Sequence, residues 1–307
     1  MPNQYSIVGI GRHAKNKIIP FMENTKCKIG PLFSSKKHKY KTYNNIKKFI
    51  RLVPKKNIFY VSSAPHLHFN QSRIIIKNNF NILCEKPSFI RLDNFNLLKK
   101  KIIKKKLFFV EVIIFRYSLL FKYFCRVWNK NKKNIKKIDI NFLIPKFNTY
   151  GFRKDRYNWS VCLYDIGIYP ISLLNLLNIQ NYKILIKNIV YKKNKIIKEI
   201  SFSIINKNYI FNINIGEDNT YKNNVVLYYK KNKKINFEHF FYGLKKNKKI
   251  KYYKKTKIIK DRNCFEVIFK RSKKFWLERR LQELNYIHKN ILFLKKIERK
   301  ILSYKSD

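Results

Sequence analysis

Over its first 115 residues the chain alternates short apolar runs with segments of helical periodicity, and this alternation leaves few folds open. Gln4–Ile10, Cys27–Phe33, Asn57–Ser62, Asn81–Cys84 and Leu107–Ile114 read as strands. Lys15–Glu23, Asn44–Leu52, His66–Asn78 and Ile90–Lys104 read as the helices between them. Leu107–Ile114 is a nearly continuous apolar run, the pattern of a strand buried on both faces. Strands joined by single helices at this spacing predict an α/β domain with a doubly wound parallel sheet. Beyond residue 115 the pattern changes. Leu119–Trp128 and Leu163–Leu177 read as helices around a strand at Ile138–Ile144. Ile184–Tyr191, Lys198–Ile205, Tyr209–Ile215, Val225–Tyr229 and Ile235–Phe241 then follow one another without helices, which predicts a mainly antiparallel sheet. Phe275–Ile301 reads as a long amphipathic helix. Two domains are expected, one over 1–115 and an α+β domain over 116–307.

Composition narrows the class further. The chain is 45% hydrophobic, which excludes disorder, and no apolar run reaches the roughly 18 residues of a membrane helix. The N-terminus lacks the pattern of a signal peptide, and the five cysteines are scattered with no CxxC pair. A reduced, cytoplasmic protein is expected. The net charge of +53 comes from 57 Lys but only 13 Arg, beside 36 Asn and two Ala. Residues with A/T-rich codons are abundant and those with G/C-rich codons scarce, so the charge reads as the product of a biased genome. Lysine runs at 46–48, 55–56, 99–106, 230–234, 245–249 and 251–258 read as solvated surface. A polyanion-binding protein is the alternative that the same charge keeps open.

Gly9-Ile10-Gly11-Arg12-His13-Ala14 fits G-x-G-x-x-G/A between a strand and a helix. The first glycine allows a tight turn, the second lets backbone approach a pyrophosphate, and Ala14 permits close helix–strand packing. The pyrophosphate would rest on the helix N-terminus beside Arg12 and His13. The first domain is therefore expected to be a Rossmann-type nucleotide-binding domain. NAD-binding versions place an acid after the second strand. Here that strand ends in Phe33-Ser34-Ser35-Lys36-Lys37, and Ser34, Ser35 and Lys36 favour the 2′-phosphate of NADP over NAD. Two more members of a lysine-rich surface would look the same.

Further motifs carry a resemblance. Cys84-Glu85-Lys86-Pro87 is similar to the "CEKP" signature of the glucose–fructose oxidoreductase / inositol dehydrogenase (Gfo/Idh/MocA) family. Val61-Ser62-Ser63-Ala64-Pro65-His66-Leu67-His68 resembles its "ATPNHLH" segment, and Asp165-Ile166-Gly167-Ile168-Tyr169-Pro170 its "DxGx(H/Y)P" motif. Arg116-Tyr117 sits where that family has "RF/RY". Ile215 to Asn223 resembles an "FGxDxxYxN" stretch, and Phe152-Arg153 followed by Asp165 an "FR…DxGxY" spacing, both of the NDP-hexose 3-ketoreductases within the family. Asn158 to Cys162 lacks the glycine run that often precedes DxGxY, which keeps a non-catalytic relative in view.

The resemblance implies a hydride transfer between nicotinamide and a carbonyl or hydroxyl of a sugar, cyclitol or nucleotide-sugar. A carbonyl gaining hydride becomes an alkoxide and needs a cation or acid beside it. Lys86, at the carboxyl end of a parallel strand, suits that need, and Glu85 would orient Lys86 or the nicotinamide ribose. The resemblance makes Lys86 or Tyr169 the proton donor and has Asp165 bind a substrate hydroxyl or orient Tyr169. It places His68 by the nicotinamide and Ser63 among the residues that bind the cofactor, with Arg116 and Tyr117 lining the sugar. Plainer readings are a turn lysine, a first-turn helix acid and a packing tyrosine. His66 and His68 have no further ligands nearby, so no metal is expected. The antiparallel sheet is expected to pair homo-oligomers, as the resembling family commonly does.

Overall fold

A computed structural model describes residues 3–25, 27–35, 38–145, 161–191, 197–217, 220–230, 233–253 and 255–304. The chain divides into two compact units, Met1–Ile113 with Phe265–Ile291, and Ile114–Cys264 with Leu292–Asp307.

The first unit is built on a six-stranded sheet. Its strands are β1 (Gln4–Val8), β2 (Lys28–Phe33), β3 (Thr42–Tyr43), β4 (Ile58–Val61), β5 (Asn81–Glu85) and β6 (Phe109–Val112). They run in the order β3-β2-β1-β4-β5-β6, and every neighbouring pair is parallel. The helices between them are α1 (Ile19–Asn24, entered through a π-helical turn at Ala14–Ile18), α2 (Ile46–Leu52), α3 (Pro65–Lys77) and α4 (Leu92–Lys104). Asn45 caps α2 by accepting from the Lys47 and Lys48 amides at 3.0 and 3.1 Å, and Pro65 opens α3 where a missing N–H costs nothing. All of β4 and the first four residues of β5 are buried, the outcome expected for strands covered on both faces. The strand order reverses between β1 and β4, and in such sheets ligands bind outside the carboxyl ends of the strands at that point.

In the second unit, α5 (Leu119–Asn131) is capped by Ser118 and followed by β7 (Ile135–Ile144) and α6 (Ile168–Leu176). Then come β8 (Lys183–Tyr191), β9 (Ile197–Ile205), β10 (Ile210–Glu217), β11 (Lys222–Tyr229), β12 (Lys234–Glu238), β13 (Lys246–Lys251) and β14 (Thr256–Asp261). The sheet order is β14-β13-β12-β11-β7-β10-β9-β8, antiparallel except for the parallel β7–β10 pair. Amides cross it in a ladder. Asn214 donates to Asn141 (2.8 Å), Asn141 to Asn224 (3.1 Å) and Asn224 to Asn236 (3.0 Å). The chain ends through α7 (Cys264–Phe269), α8 (Lys273–Glu278) and α9 (Arg280–Leu302). Among the described residues no helix is long and apolar enough to cross a membrane.

The mixed α/β fold with one parallel and one mainly antiparallel sheet is as expected. Four details differ. β3, β13 and β14 lie where no strand is expected. The helix expected over Leu163–Leu177 is a π-helical turn, Val161–Ile166, and then α6, separated at Gly167. The C-terminal helix is two helices with Arg279 between them. Residues 265–291 also do not stay with the second domain as drawn over 116–307; they belong to the first unit. The physical reason is burial. Leu284, Ile287 and Ile291 of α9 complete the core formed by Phe59, Ile75, Ile82, Phe95 and Phe109. Tyr5 donates its buried hydroxyl to the Phe269 carbonyl at 2.7 Å.

Candidate active site

The glycine turn lies at the point of strand reversal. Gly9 has φ +88°, and a methyl group there would lie 2.5 Å from both the N and the Cα of Ser63, beyond the end of β4. The Gly9 amide donates to the Phe33 carbonyl at the end of β2 (2.9 Å), and Ser62 Oγ donates to the Gly9 carbonyl (2.7 Å). The ends of β1, β2 and β4 therefore converge on one residue. Gly11 is different, because a methyl group built on it meets nothing within 4 Å. The protein leaves room over the start of the helical segment, where Arg12 and His13 are exposed and Ala14 is fully buried. No side chain caps that turn and its first turn holds no acid, so the N–H groups and the dipole favour an anion. These features fit a nucleotide pyrophosphate.

At the end of β2, Ser34 is buried, with its amide donating to the Tyr43 carbonyl at 2.9 Å, and Ser35 is exposed. Among the described residues none that directly follows this strand carries a carboxylate. Lys36 lies outside the described residues.

Two strands along from β1, Glu85 ends β5. Its carboxylate accepts from Tyr60 of β4 and lies 3.4 Å from His13 Nε2. Burial alone would raise the Glu85 carboxyl. Hydrogen bonds from His13 and Tyr60, with the charges of His13 and Lys86, instead hold it below the ordinary carboxylate value. Glu85 thus ties the glycine turn to the strand that delivers Lys86. Lys86 is half-buried, and its peptide bond to Pro87 is cis. His68 is 1% exposed, with Nδ1 2.9 Å from the Pro87 carbonyl and Nε2 2.9 Å from the Ser63 carbonyl. Both nitrogens face main-chain carbonyls of the loops after β4 and β5, and the single N–H of a neutral imidazole donates to one of them. Burial pushes its pKa down, against the two carbonyl contacts.

The remaining expected residues lie in the second unit. Arg116 and Tyr117 end a 3-10 turn, Ile114–Tyr117, with the guanidinium 5.7 Å from the Tyr117 ring centre. Asp165 and Tyr169 are each 7% exposed. They do not share one continuous helix, because Asp165 belongs to the π-helical turn and Tyr169 to α6. Gly167 between them sits so tightly that a methyl group would fall 2.5 Å from the Leu163 carbonyl oxygen. The Tyr169 ring packs on Phe142 and Phe241, at 5.1 and 5.9 Å between centres. In the stretch resembling "FGxDxxYxN", Asn223 holds a turn by accepting from the Phe241 amide at 2.8 Å and donating to Tyr221 Oη at 2.6 Å. Asp218 and Asn219 of that stretch, and residues 152, 153 and 158–160, lie outside the described residues.

Tyr60 and Ser62 are not among the site residues expected from the sequence. Both sit in or beside a strand that otherwise reads only as core, and their partners are 25 and 53 residues away. A hydroxyl at the end of a buried apolar strand was the available signal.

Residues 4–112 match the model of an oxidoreductase family with an NAD-binding Rossmann fold, Gfo/Idh/MocA. A search of curated proteins finds no match by sequence. Several solved structures share the fold. A mutant of KijD10, a 3-ketoreductase from Actinomadura kijaniata, in complex with TDP-benzene and NADP, superposes with a TM-score of 0.79 at 11% identity, covering 97% of this chain and 98% of that one. An aldose-aldose oxidoreductase from Caulobacter crescentus, complexed with glycerol, gives 0.79 at 13% identity, covering 97% of each chain. A dehydrogenase from Clostridium difficile gives 0.72 at 16% identity, covering 98% of this chain and all of that one. Residues 4–112 therefore carry the NAD-binding Rossmann fold that the Gfo/Idh/MocA oxidoreductase model describes, and the chain as a whole shares its fold with the three reductases and dehydrogenases above.

Proposed function

We propose that the protein is an NADP-dependent oxidoreductase acting on a carbonyl or hydroxyl carbon of a sugar or nucleotide-sugar. The observation that carries this is the pair Gly9 and Gly11 at the strand reversal. The first is closed against Ser63 and the second open, with Glu85 linking their turn to Lys86. The strand end without a carboxylate, followed by Ser34 and Ser35, supports NADP over NAD. The NADP and TDP-benzene held by KijD10 support a nucleotide-sugar.

When bound, the cofactor supplies hydride exchange at its nicotinamide. The chain's residues do the rest. The N–H groups after Gly11 hold the pyrophosphate. Lys86 borders the nicotinamide ribose and donates to the substrate oxygen, where its charge stabilises the negative charge that develops. Lys86 or Tyr169 supplies the proton. Asp165 binds a substrate hydroxyl or orients Tyr169, and Arg116 and Tyr117 contact the sugar. A homo-oligomer formed through the antiparallel sheet belongs to the same proposal, and a monomer mass by sedimentation equilibrium would remove it.

The test is a titration with NADPH and with NADH, following nicotinamide fluorescence at about 1 M salt, where the Debye length is about 3 Å and adventitious lysine binding is screened. NADPH should bind at least about tenfold tighter, a difference of about 1.4 kcal/mol. Equal affinities remove the NADP assignment, and no binding removes the oxidoreductase reading. With a nucleotide-linked keto-sugar as substrate, Lys86→Ala should lower turnover by about 100-fold or more, against a loss of about tenfold in NADPH affinity.

A further inference from the structure

Lys86 is followed by two residues that are each fastened from a different side. The Pro87 carbonyl lies 2.9 Å from His68 Nδ1. Ser88, 1% exposed, donates from both its amide and its hydroxyl to Glu111 Oε1, at 2.8 Å each. Glu111 Oε2 accepts from Asn290 Nδ2 of α9 at 3.3 Å. Glu111 is 2% exposed in the middle of β6, between Val110 and Val112, and its Cα pairs with that of Cys84. A carboxyl group buried there costs several kcal/mol unless donors surround it, and apolar side chains of similar size commonly serve a core position at least as well. All three donors converge on this one acceptor-only group, so it does something an apolar residue could not, namely fix the main chain two residues beyond Lys86.

We propose that Glu111 is a positioning residue for Lys86, acting through Ser88, with Asn290 as its support. The inference rests on the role given to Lys86 under Proposed function. Glu111 touches neither substrate nor cofactor. It holds Ser88 and, with His68 on the Pro87 carbonyl, sets the direction in which the chain leaves β5. The Asn290 contact brings the C-terminal segment into the support of a residue whose neighbours in sequence all belong to the N-terminal strands. An error of about 1 Å at a reacting group can cost about 100-fold in rate, so such a support matters even at this remove.

The test uses the full chain and NADPH as the probe. Wild type, Lys86→Ala, Glu111→Gln and the double variant are each titrated at high salt. Glu111→Gln keeps size and shape but presents an NH₂ group toward Ser88 or Asn290. It should weaken NADPH binding about tenfold when Lys86 is present and less than about twofold in the Lys86→Ala background, the non-additivity of groups that act as one unit. Hydrogen exchange should show the Ser88 amide losing protection in Glu111→Gln while β4 keeps its own. An equal loss in both backgrounds overturns the inference, because a merely structural effect does not depend on Lys86. If Glu111→Gln does not fold, Ser88→Ala replaces it in the same cycle, with an expected factor of about threefold and the same non-additivity. Wild type that fails to bind NADPH overturns the functional reading and this inference with it. Binding that Lys86→Ala leaves untouched overturns this inference alone.

Discussion

A methyl group added at Gly9 has nowhere to go, whereas one added at Gly11 meets no protein atom, and the two positions can be told apart by experiment. Gly9→Ala must hold an L side chain at φ +88° and push the backbone at Ser63. It should destabilise the protein by about 2 kcal/mol or more in urea denaturation. Gly11→Ala should stay within about 1 kcal/mol of wild type, yet weaken NADPH by about tenfold or more, because the methyl group intrudes only on a bound phosphate. His68 gives a second residue-scale prediction. Its folded pKa lies below its unfolded value of about 6.5, so the unfolded chain takes up the proton first. The stability it contributes is present above about pH 6.5 and is lost as pH falls. His68→Gln should flatten that acid limb of a stability–pH curve, and an unchanged slope would show that other groups set it. Much of this site was legible because the glycine turn and Glu85-Lys86-Pro87 are each contiguous in sequence. Tyr60, Ser62, Glu111 and Asn290 were not, because each acts on a partner at least 23 residues away and its own neighbours in sequence carry no mark of that partner.

At the scale of elements, the alternation of strands and helices over the first 115 residues was readable because each buried strand is locally apolar. β13 was hidden by its composition. Lys246-Asn247-Lys248-Lys249-Ile250-Lys251 reads as another solvated lysine run, yet Lys248 and Ile250 point inward with the period of a strand. Lys248 is fully buried, 2.8 Å from Asp261 of β14, which also accepts from the Leu119 amide at the start of α5 at 2.8 Å. Among the described residues Lys248 is thus a lysine of the core, and its partner lies 13 residues downstream in a mostly exposed strand. Lys248→Met leaves Asp261 buried without its counter-charge and should cost about 3 kcal/mol or more in chemical denaturation. Lys137→Met, which removes a half-exposed partner of Asp139 at 3.5 Å, should cost less than about 1 kcal/mol. Similar losses for the two would show that the Lys248 pair is not desolvated in solution. The break between the π-helical turn and α6 escaped for a related reason. The crowding that demands glycine at 167 comes from Leu163 and from Ile215 of β10, and only the first is near in sequence.

At the scale of the whole molecule, the N-terminal unit is not contiguous. Residues 265–291 bring Leu284, Ile287 and Ile291 into its core and set the Phe269 ring 5.3 Å from Tyr60. A fragment ending at residue 113 should therefore lack a cooperative urea transition. Joining residues 265–291 to it through a flexible linker should restore one, as read by circular dichroism. A cooperative transition in the shorter fragment would show the return segment to be dispensable. Periodicity could not reveal this return, since an amphipathic helix shows that it has an apolar face and not which sheet that face covers.

That return also sets an order of events on the ribosome. The polypeptide between residues 113 and 291 must be synthesised before the N-terminal unit has all its core side chains, a span of 178 residues (291 − 113). At roughly 5–20 residues per second this takes about 9–36 s. For that interval the nascent β1–β6 sheet carries uncovered apolar surface, while residues 114–264 are being made. The Gly9–Ala14 turn, made before any of these residues, is among the last parts of the N-terminal unit to gain its full support.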